Sequence, residues 1–158
     1  MTKLRTILLA SAVVLMGTVA NAADKPVYGV LMKTLANPFW GAMEQGVKAG
    51  SDAAGVEYYL QAAESDQAAE PQLNLCNTML ERKPAVMITA AINSNILLPC
   101  LKAANDLGIP VVDLDGNLDP SINEKAGVKI AFQIGSDNEA AGAQGADFVV
   151  SKLGADAK

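Results

Sequence analysis

Short apolar runs alternate with longer amphipathic segments along this chain, and no other feature restricts its fold as strongly. The runs are found at residues 27–32, 56–60, 85–89, 109–112 and 128–134. Strands that alternate with helices over short connections favour an α/β fold, a doubly wound parallel sheet with helices on both faces. Because crossovers between parallel strands are right-handed, the preferred strand order is 2-1-3-4-5.

The segment after the first apolar run predicts a helix with two aromatic residues at its start. Asn37 is suited to cap this helix and Pro38 to occupy its first position, and Gly55 is suited to end it. Helical spacing places Phe39 on the apolar stripe and puts Trp40, the only tryptophan, on the polar face. An indole at such a position is better explained by ligand stacking than by core packing.

The two cysteines, Cys76 and Cys100, fall on the second and third predicted helices, residues 65–82 and 93–107. In the preferred strand order these helices are neighbours, so the two sulfurs can meet. A bridge closing about 25 residues would add roughly 3 kcal/mol to the free energy of unfolding. One helical turn of misregistry would keep the cysteines apart, and each would then be a small buried hydrophobe, so both alternatives stay open.

Composition excludes several classes of function. The formal net charge of −5 argues against nucleic acid or an anionic membrane as a partner. The absence of histidine excludes Ser-His-Asp and Cys-His catalysis and histidine-ligated zinc. No phosphate loop, G-x-G-x-x-G turn or nucleophile elbow is found, so we expect no enzyme and no cofactor. Asp113, Asp115 and Asp119 lack the glycine and distal glutamate of an EF-hand loop, so we expect no metal.

The first 22 residues have the pattern of a signal peptide. Lys3 and Arg5 precede an apolar stretch at residues 6–20, and Ala20-Asn21-Ala22 matches a small-x-small cleavage site. The stretch is too short for a good membrane span. We therefore expect export, with cleavage near Ala22.

Three loops follow the carboxyl ends of predicted strands one, three and four, at residues 33–40, 90–95 and 113–117. In doubly wound sheets, ligands bind at this edge, where the strand order reverses. We therefore expect the ligand site there.

The side chains on these loops suit a neutral polyol. Phe39 and Trp40 offer flat faces for the C–H side of a sugar ring. Lys33 and Asn37 supply hydrogen-bond donors, and Asp115 can accept two hydroxyl hydrogen bonds. Taken singly, core packing explains Phe39, capping explains Asn37 and a turn explains Asp115. Their convergence on one edge favours a ligand.

Three segments carry a resemblance to a known family: Lys-Thr-Leu-Ala-Asn-Pro-Phe-Trp at 33–40, Leu-Gly-Ile-Pro-Val-Val-Asp-Leu-Asp at 107–115, and Gly-Ser-Asp-Asn at 135–138. With them the chain resembles the type I periplasmic sugar-binding proteins of ABC importers, in the ribose- and allose-binding group. The resemblance implies a two-lobed protein that closes on a monosaccharide in the periplasm and delivers it to a membrane permease. It implies sugar contacts by Lys33, Asn37, Phe39, Trp40 and Asp115.

The resemblance also implies a domain organisation. Residues 23–135 would form the first sugar-binding lobe, and residues 136–158 the hinge crossing and the first helix of a second lobe, the rest being absent. Ser136 and Asp137 look like hinge residues. We expect a monomer that binds an allose-like sugar or another hexose or pentose. Ribose-binding relatives carry an arginine directly after the aspartate, where this chain has Gly116, which argues against ribose.

Three alternatives remain. A sugar or signal-molecule receptor for a chemotaxis or sensor partner would share the fold, and only the surface around the cleft would distinguish it. An exported enzyme of flavodoxin-like architecture is disfavoured by the missing histidines and phosphate loops. A cytoplasmic sugar-responsive repressor is disfavoured by the export signal.

Overall fold

The computed structural model of the chain describes residues 25–116 and 118–154. Within this part, strands and helices alternate as β1 (Val27–Thr34), α1 (Pro38–Ala54), β2 (Glu57–Ala63), α2 (Ala69–Glu81), β3 (Val86–Thr89), α3 (Leu98–Asp106), β4 (Val111–Leu114), α4 (Pro120–Ala126), β5 (Phe132–Ile134) and α5 (Asn138–Leu153). All strand pairs are parallel, and the order β2-β1-β3-β4-β5 confirms the predicted α/β fold and topology. The predicted signal peptide, residues 1–22, lies outside the described residues.

The interior strand β1, between β2 and β3, is buried on both faces, as expected for a parallel sheet covered by helices. Val30, Leu31 and Met32 are fully buried, and successive side chains of a strand point to opposite faces. Leu31 belongs to the larger core cluster, which includes residues of α2 and α3. Val30 and Met32 belong to the smaller one, together with Trp40 and Ala90. The two clusters enclose the sheet.

Helix α1 begins and ends where its capping residues predict. Asn37 has an extended backbone, and its side-chain oxygen accepts a hydrogen bond of 3.0 Å from the Phe39 N–H. Pro38 follows at the first helical position, where its missing N–H costs nothing. Gly55 ends the helix in the left-handed conformation, with φ of 65°, and donates to the carbonyl of Asp52.

The structure corrects the predicted bounds of three strands near the site. Strand β1 extends to Thr34, so Lys33 lies on the strand rather than in the following loop. Strand β4 likewise includes Asp113. The predicted strand at 128–134 is paired only from Phe132 to Ile134, because the Val128 N–H is bonded to the carbonyl of Asn123, in α4.

Two helix starts and one whole helix also differ from the predictions. Helix α2 begins after Ala68 without a side-chain cap, and not at Ser65-Asp66. Before α3, the side chain of Asn93 accepts bonds from the N–H groups of residues 95 and 96, which form a turn instead of a helix start. After the predicted loop at 113–117 the chain forms the short helix α4, which was not predicted, and Asp119 caps it by accepting from the N–H groups of residues 121 and 122.

Helix α2 is held tightly against its neighbours. A disulfide joins Cys76, on α2, to Cys100, on α3, with their Cα atoms 6.2 Å apart. Against the sheet, Met79 packs on Gly29 of β1, where a Cβ atom would lie only 2.7 Å from the Met79 sulfur. The disulfide and this glycine therefore fix α2 on two sides.

Helix α5 differs from the other four described helices because none of its residues is buried. Its large apolar side chains Phe148, Val149, Val150 and Leu153 are half exposed or more. Among the described residues, none of the helices combines the length and the apolarity that a membrane crossing requires.

Candidate functional site

The carboxyl edge of the sheet brings together two side chains that are 82 positions apart in the sequence. The Lys33 Nζ atom, at the end of β1, lies 2.7 Å from the Asp115 Oδ2 atom, just after β4. The two side chains are 12% and 25% exposed. Such a partly desolvated ion pair has a stronger Coulomb attraction than one in water, although burial also removes hydration from both charges. The two opposite charges leave this part of the site close to neutral.

Asp115 has a backbone conformation that is unusual for a residue with a side chain. Its φ is 70°, in the left-handed region, and Gly116 follows with φ of 66°. The Asp115 N–H donates a hydrogen bond of 2.7 Å to the carbonyl of Ile134, at the end of β5. Left-handed residues other than glycine cost free energy and persist where the surroundings hold them, often at functional sites. The Asp-Gly pair is the sequence signal of this turn.

The predicted position of Trp40 is wrong. The indole is 4% exposed and packs with Val30, Met32 and Ala90, instead of lying on an exposed polar face. Helical spacing allows either aromatic residue to share a face with Met43, and burying the larger ring removes more apolar area from water. The argument that an exposed indole requires a ligand is therefore lost. A direct ligand contact by Trp40 stays a prediction.

Phe39 takes the exposed position that was predicted for Trp40. Its side chain is 48% exposed, so its assignment to the core stripe is wrong. The two rings meet edge to face, with centroids 4.9 Å apart and planes at 89°. Lys33 Nζ lies over the same indole, 5.1 Å from its ring centroid. Trp40 is thus the buried support of both Phe39 and Lys33.

The remaining predicted residues have structural roles of their own. The side-chain oxygen of Asn37 is used by the helix cap, so its amide nitrogen is the group that remains for a ligand. Asp137 caps α5 by accepting from the Ala140 N–H at 2.8 Å, and the carbonyl of Ser136 accepts from Asn138. Both Ser136 and Asp137 are exposed. Their role as a hinge stays a prediction.

The three acids on β4 and in the segment that follows it do not converge on a common point. Asp113 is fully buried, Asp115 pairs with Lys33, and Asp119 caps α4. Hydrogen bonds from Ser121 and Ile122 lower the pKa of Asp119 below its ordinary value. Across residues 25–116 and 118–154, no cluster of three potential metal ligands is found.

Sequence reasoning missed Gln72, whose buried side chain joins the end of β1 to the loop after β3. Its amide group is fully buried and donates to the carbonyls of Met32, at 3.2 Å, and Ala90, at 2.8 Å. Its oxygen accepts from the Ile92 N–H at 2.9 Å. A polar residue in register with Cys76 and Met79 on a buried helix face was the available signal.

Sequence reasoning also missed the pair formed by Asp113 and Gln133. Asp113 Oδ2 accepts from Gln133 Nε2 at 2.7 Å and from the Leu118 N–H at 3.2 Å. Gln133 Nε2 also donates to the Leu118 carbonyl at 2.7 Å. Burial raises the pKa of the Asp113 carboxyl, and these two hydrogen bonds act in the opposite direction. A charged residue inside an otherwise apolar strand was the signal.

A separate groove of about 460 Å³ lies between α4 and β5. Its lining includes Pro120, Asn123, Val128 and Phe132, and none of the predicted ligand contacts. The groove is therefore distinct from the edge that carries Lys33 and Asp115.

Comparisons with known proteins agree on one family. The family model described as periplasmic binding protein domain matches residues 28–158. The D-allose-binding periplasmic protein of Escherichia coli strain K12 is 34% identical over 143 residues, which cover 90% of this chain and 45% of that protein. The ribose import binding protein of the same strain is 30% identical over 159 residues, covering all of this chain and 50% of the relative.

A solved structure gives the same result. An ABC transporter periplasmic solute-binding protein from Actinobacillus succinogenes 130z, with bound D-allose, superposes with a TM-score of 0.76 at 31% identity. The match covers 82% of this chain and 45% of that one. The chain spans about half the length of the relatives it matches.

Proposed function

Because the chain belongs to the periplasmic binding protein domain family, we propose that it contributes the sugar-binding site of an ABC-type importer. The observation that carries this proposal is the Lys33–Asp115 pair, which lies beside an exposed phenyl ring at the ligand edge of the sheet. Parallel sheets of this kind bind ligands at that edge. The proposed role is binding without covalent chemistry.

The charges of the site favour a neutral polyol. One oxygen of Asp115 accepts from Lys33, and the other remains to accept a sugar hydroxyl. Since Lys33 balances the carboxylate, a ligand with a net charge gains little attraction from the pair. Phe39 offers its exposed ring to the C–H face of a sugar, and Asn37 its amide nitrogen. The buried Trp40 ring contacts both Phe39 and Lys33 and so supports their positions.

The sugar proposed here is an aldose of the allose type. Two of the relatives, including the solved structure with bound D-allose, are described by that sugar. Gly116 follows Asp115 without a side chain that could contact a ligand, so specificity within one lobe rests on the pair and on Phe39.

We further propose that residues 23–135 form one lobe and that residues 136–158 lead into a second. Helices α1 to α4 all bury residues within the described lobe, whereas α5 buries none. The proposed partner is a membrane permease, and the proposed location is the periplasm after signal-peptide cleavage near Ala22. The protein would act as a monomer.

The proposal is tested by titrating the chain with D-allose while recording two-dimensional NMR spectra. A complete site of micromolar affinity has a binding free energy of about −8 kcal/mol, and half of it corresponds to a Kd of about 1 mM. We expect D-allose to shift the amide signals of Phe39 and Asp115 and the indole signal of Trp40. Sucrose at equal concentration serves as the solute control.

Two matched variants connect the binding to the ion pair. Asp115→Asn should weaken binding about tenfold, because it removes the charge that accepts a hydroxyl. Asp106→Asn, which breaks the exposed Lys102–Asp106 pair of α3, should leave the titration unchanged. Absence of any sugar-dependent shift in residues 33–40 and at 115 would refute the proposal.

A further inference from the structure

The turn that carries Asp115 is held at both ends by strand β5. At its start, the Asp115 N–H donates to the carbonyl of Ile134. At its end, Leu118 has both backbone groups bonded, its N–H to Asp113 and its carbonyl to Gln133. Gln133 and Ile134 are adjacent residues of β5, so this strand is bonded to the turn at Asp115 and at Leu118.

Asp113 and Gln133 are placed by the sheet register itself. They are partners across β4 and β5, and paired residues of neighbouring strands extend to the same face. Asp113 is fully buried, and its Oδ1 atom has no hydrogen-bond partner among the described residues. Burying a carboxylate with one oxygen unpaired costs free energy, which the two hydrogen bonds that it accepts partly offset. An asparagine could accept the same two bonds without a charge.

We propose that Asp113 and Gln133 are positioning residues that orient the Asp115 side chain toward the ligand. This inference rests on the proposed function. The hydrogen bonds of Asp113 and Gln133 run to each other and to Leu118 and not to Lys33, Phe39 or Asn37, so both residues act through the turn. The charged groups that act on Asp113 are Lys33 of β1, which favours its ionised form, and Asp115, which opposes it. Its register partner on β3, Thr89, is neutral.

The first test uses no ligand. Asp113→Ala removes the acceptor of the Leu118 N–H, so the Asp115 turn should relax and Lys33 should lose its fixed position over Trp40. We expect the indole N–H signal of Trp40, the only tryptophan, to shift. Asp113→Asn, which can accept both hydrogen bonds, should return that signal to its wild-type position. An indole signal that is unchanged in folded Asp113→Ala would overturn the proposal whether or not any sugar binds.

The second test uses D-allose and pH. Gln133→Glu places a carboxylate against Asp113 Oδ2 and the Leu118 carbonyl, which are both acceptors. We expect the affinity to fall on the order of tenfold at pH 7 and to recover as the pH is lowered toward about 5, where two adjacent carboxyl groups can share a proton. Gln144→Glu on the exposed helix α5 makes the same change of charge and should keep the wild-type profile.

The two proposals fail in different ways. If the wild-type chain binds D-allose and folded Gln133→Glu binds it equally well at pH 7, the positioning role is wrong and the proposed function stands. If the wild-type chain binds no sugar, the proposed function fails, and the Trp40 signal in Asp113→Ala still decides whether the pair controls the turn.

Discussion

The two ends of the Lys33–Asp115 pair are held by different kinds of structure. Lys33 lies near the end of β1, where the pairing with β2 shifts register between fully buried Met32 and buried Thr34, and its ammonium group lies over the buried Trp40 ring. Asp115 lies in a left-handed turn whose position depends on hydrogen bonds to β5. Apolar packing around Trp40 thus supports the Lys33 half of the site, with a buried Gln72 bond to the Met32 carbonyl, whereas the Asp115 half depends on buried polar bonds.

This difference indicates that the free energy of unfolding and the affinity for the ligand depend on different residues. Changes in the apolar half remove buried area, so they should act first on the free energy of unfolding. Changes in the polar half alter few apolar contacts, so they should act first on ligand affinity. Substitutions in each half test this difference. It would be contradicted if the apolar substitutions changed mainly affinity and the polar ones mainly stability.

The largest effect is expected in the apolar half, for Trp40→Ala. Removing a buried indole should lower the free energy of unfolding by about 3–5 kcal/mol. Phe39→Ala, the matched control one residue earlier, should cost less than about 1 kcal/mol because its ring is half exposed. Chemical denaturation of both variants measures the difference. Equal losses would contradict the assignment of the two rings.

A smaller effect on stability, with a clear effect on binding, is expected for Asp115. Asp115→Gly and Asp115→Ala should both weaken sugar binding at least about tenfold. The glycine variant should be more stable than the alanine variant by about 1 kcal/mol, because glycine adopts the left-handed conformation without strain. Calorimetric titration and denaturant unfolding measure the two quantities. Equal stability of the two variants would show that the turn relaxes.

The smallest effect is expected for the pH dependence of unfolding at Asp113. Burial raises the pKa of this carboxyl in the folded protein above its ordinary value of 3.8, so the folded state binds the proton more tightly than the unfolded chain. The contribution of Asp113 to the free energy of unfolding should therefore rise as the pH falls from the folded pKa toward 3.8.

Asp113→Asn isolates this contribution. The variant should match or exceed the wild type in stability at pH 7, and the difference should shrink on acidification. The pKa of Asp119 is lowered, so its contribution to the free energy of unfolding has the opposite pH dependence. That contribution cancels in the comparison because both proteins contain Asp119. Denaturant unfolding at several pH values measures the difference. A gap that widens toward low pH would contradict the stated direction of the shift.

Local signals were sufficient for the sheet and for helix α1. Asn37, Pro38 and Gly55 act within a few residues of themselves, and the right-handed crossover leaves few strand orders. The phase of α1 was not predictable in the same way. Phe39 and Trp40 are adjacent, each is compatible with the spacing to Met43, and the packing against β1 and β3 decides between them.

The polar half was harder to predict because its partners are distant in sequence. The sequence indicated Asp115 as a ligand residue, but it did not indicate that Lys33 is its partner 82 positions away. Gln133 lies 20 positions after Asp113, and only the register of β4 and β5 brings them together. Helix α4 was missed because its Asp-Pro start and Gly127 end enclose only seven residues.

The Cys76–Cys100 bridge makes the stability of the chain depend on whether its two cysteines are oxidised. Disulfides persist in oxidising compartments, and the loop that this one closes makes the unfolded chain less favourable by roughly 3 kcal/mol. In a reducing compartment the chain lacks that contribution, so its folded state is easier to unfold there than after the two cysteines have been oxidised.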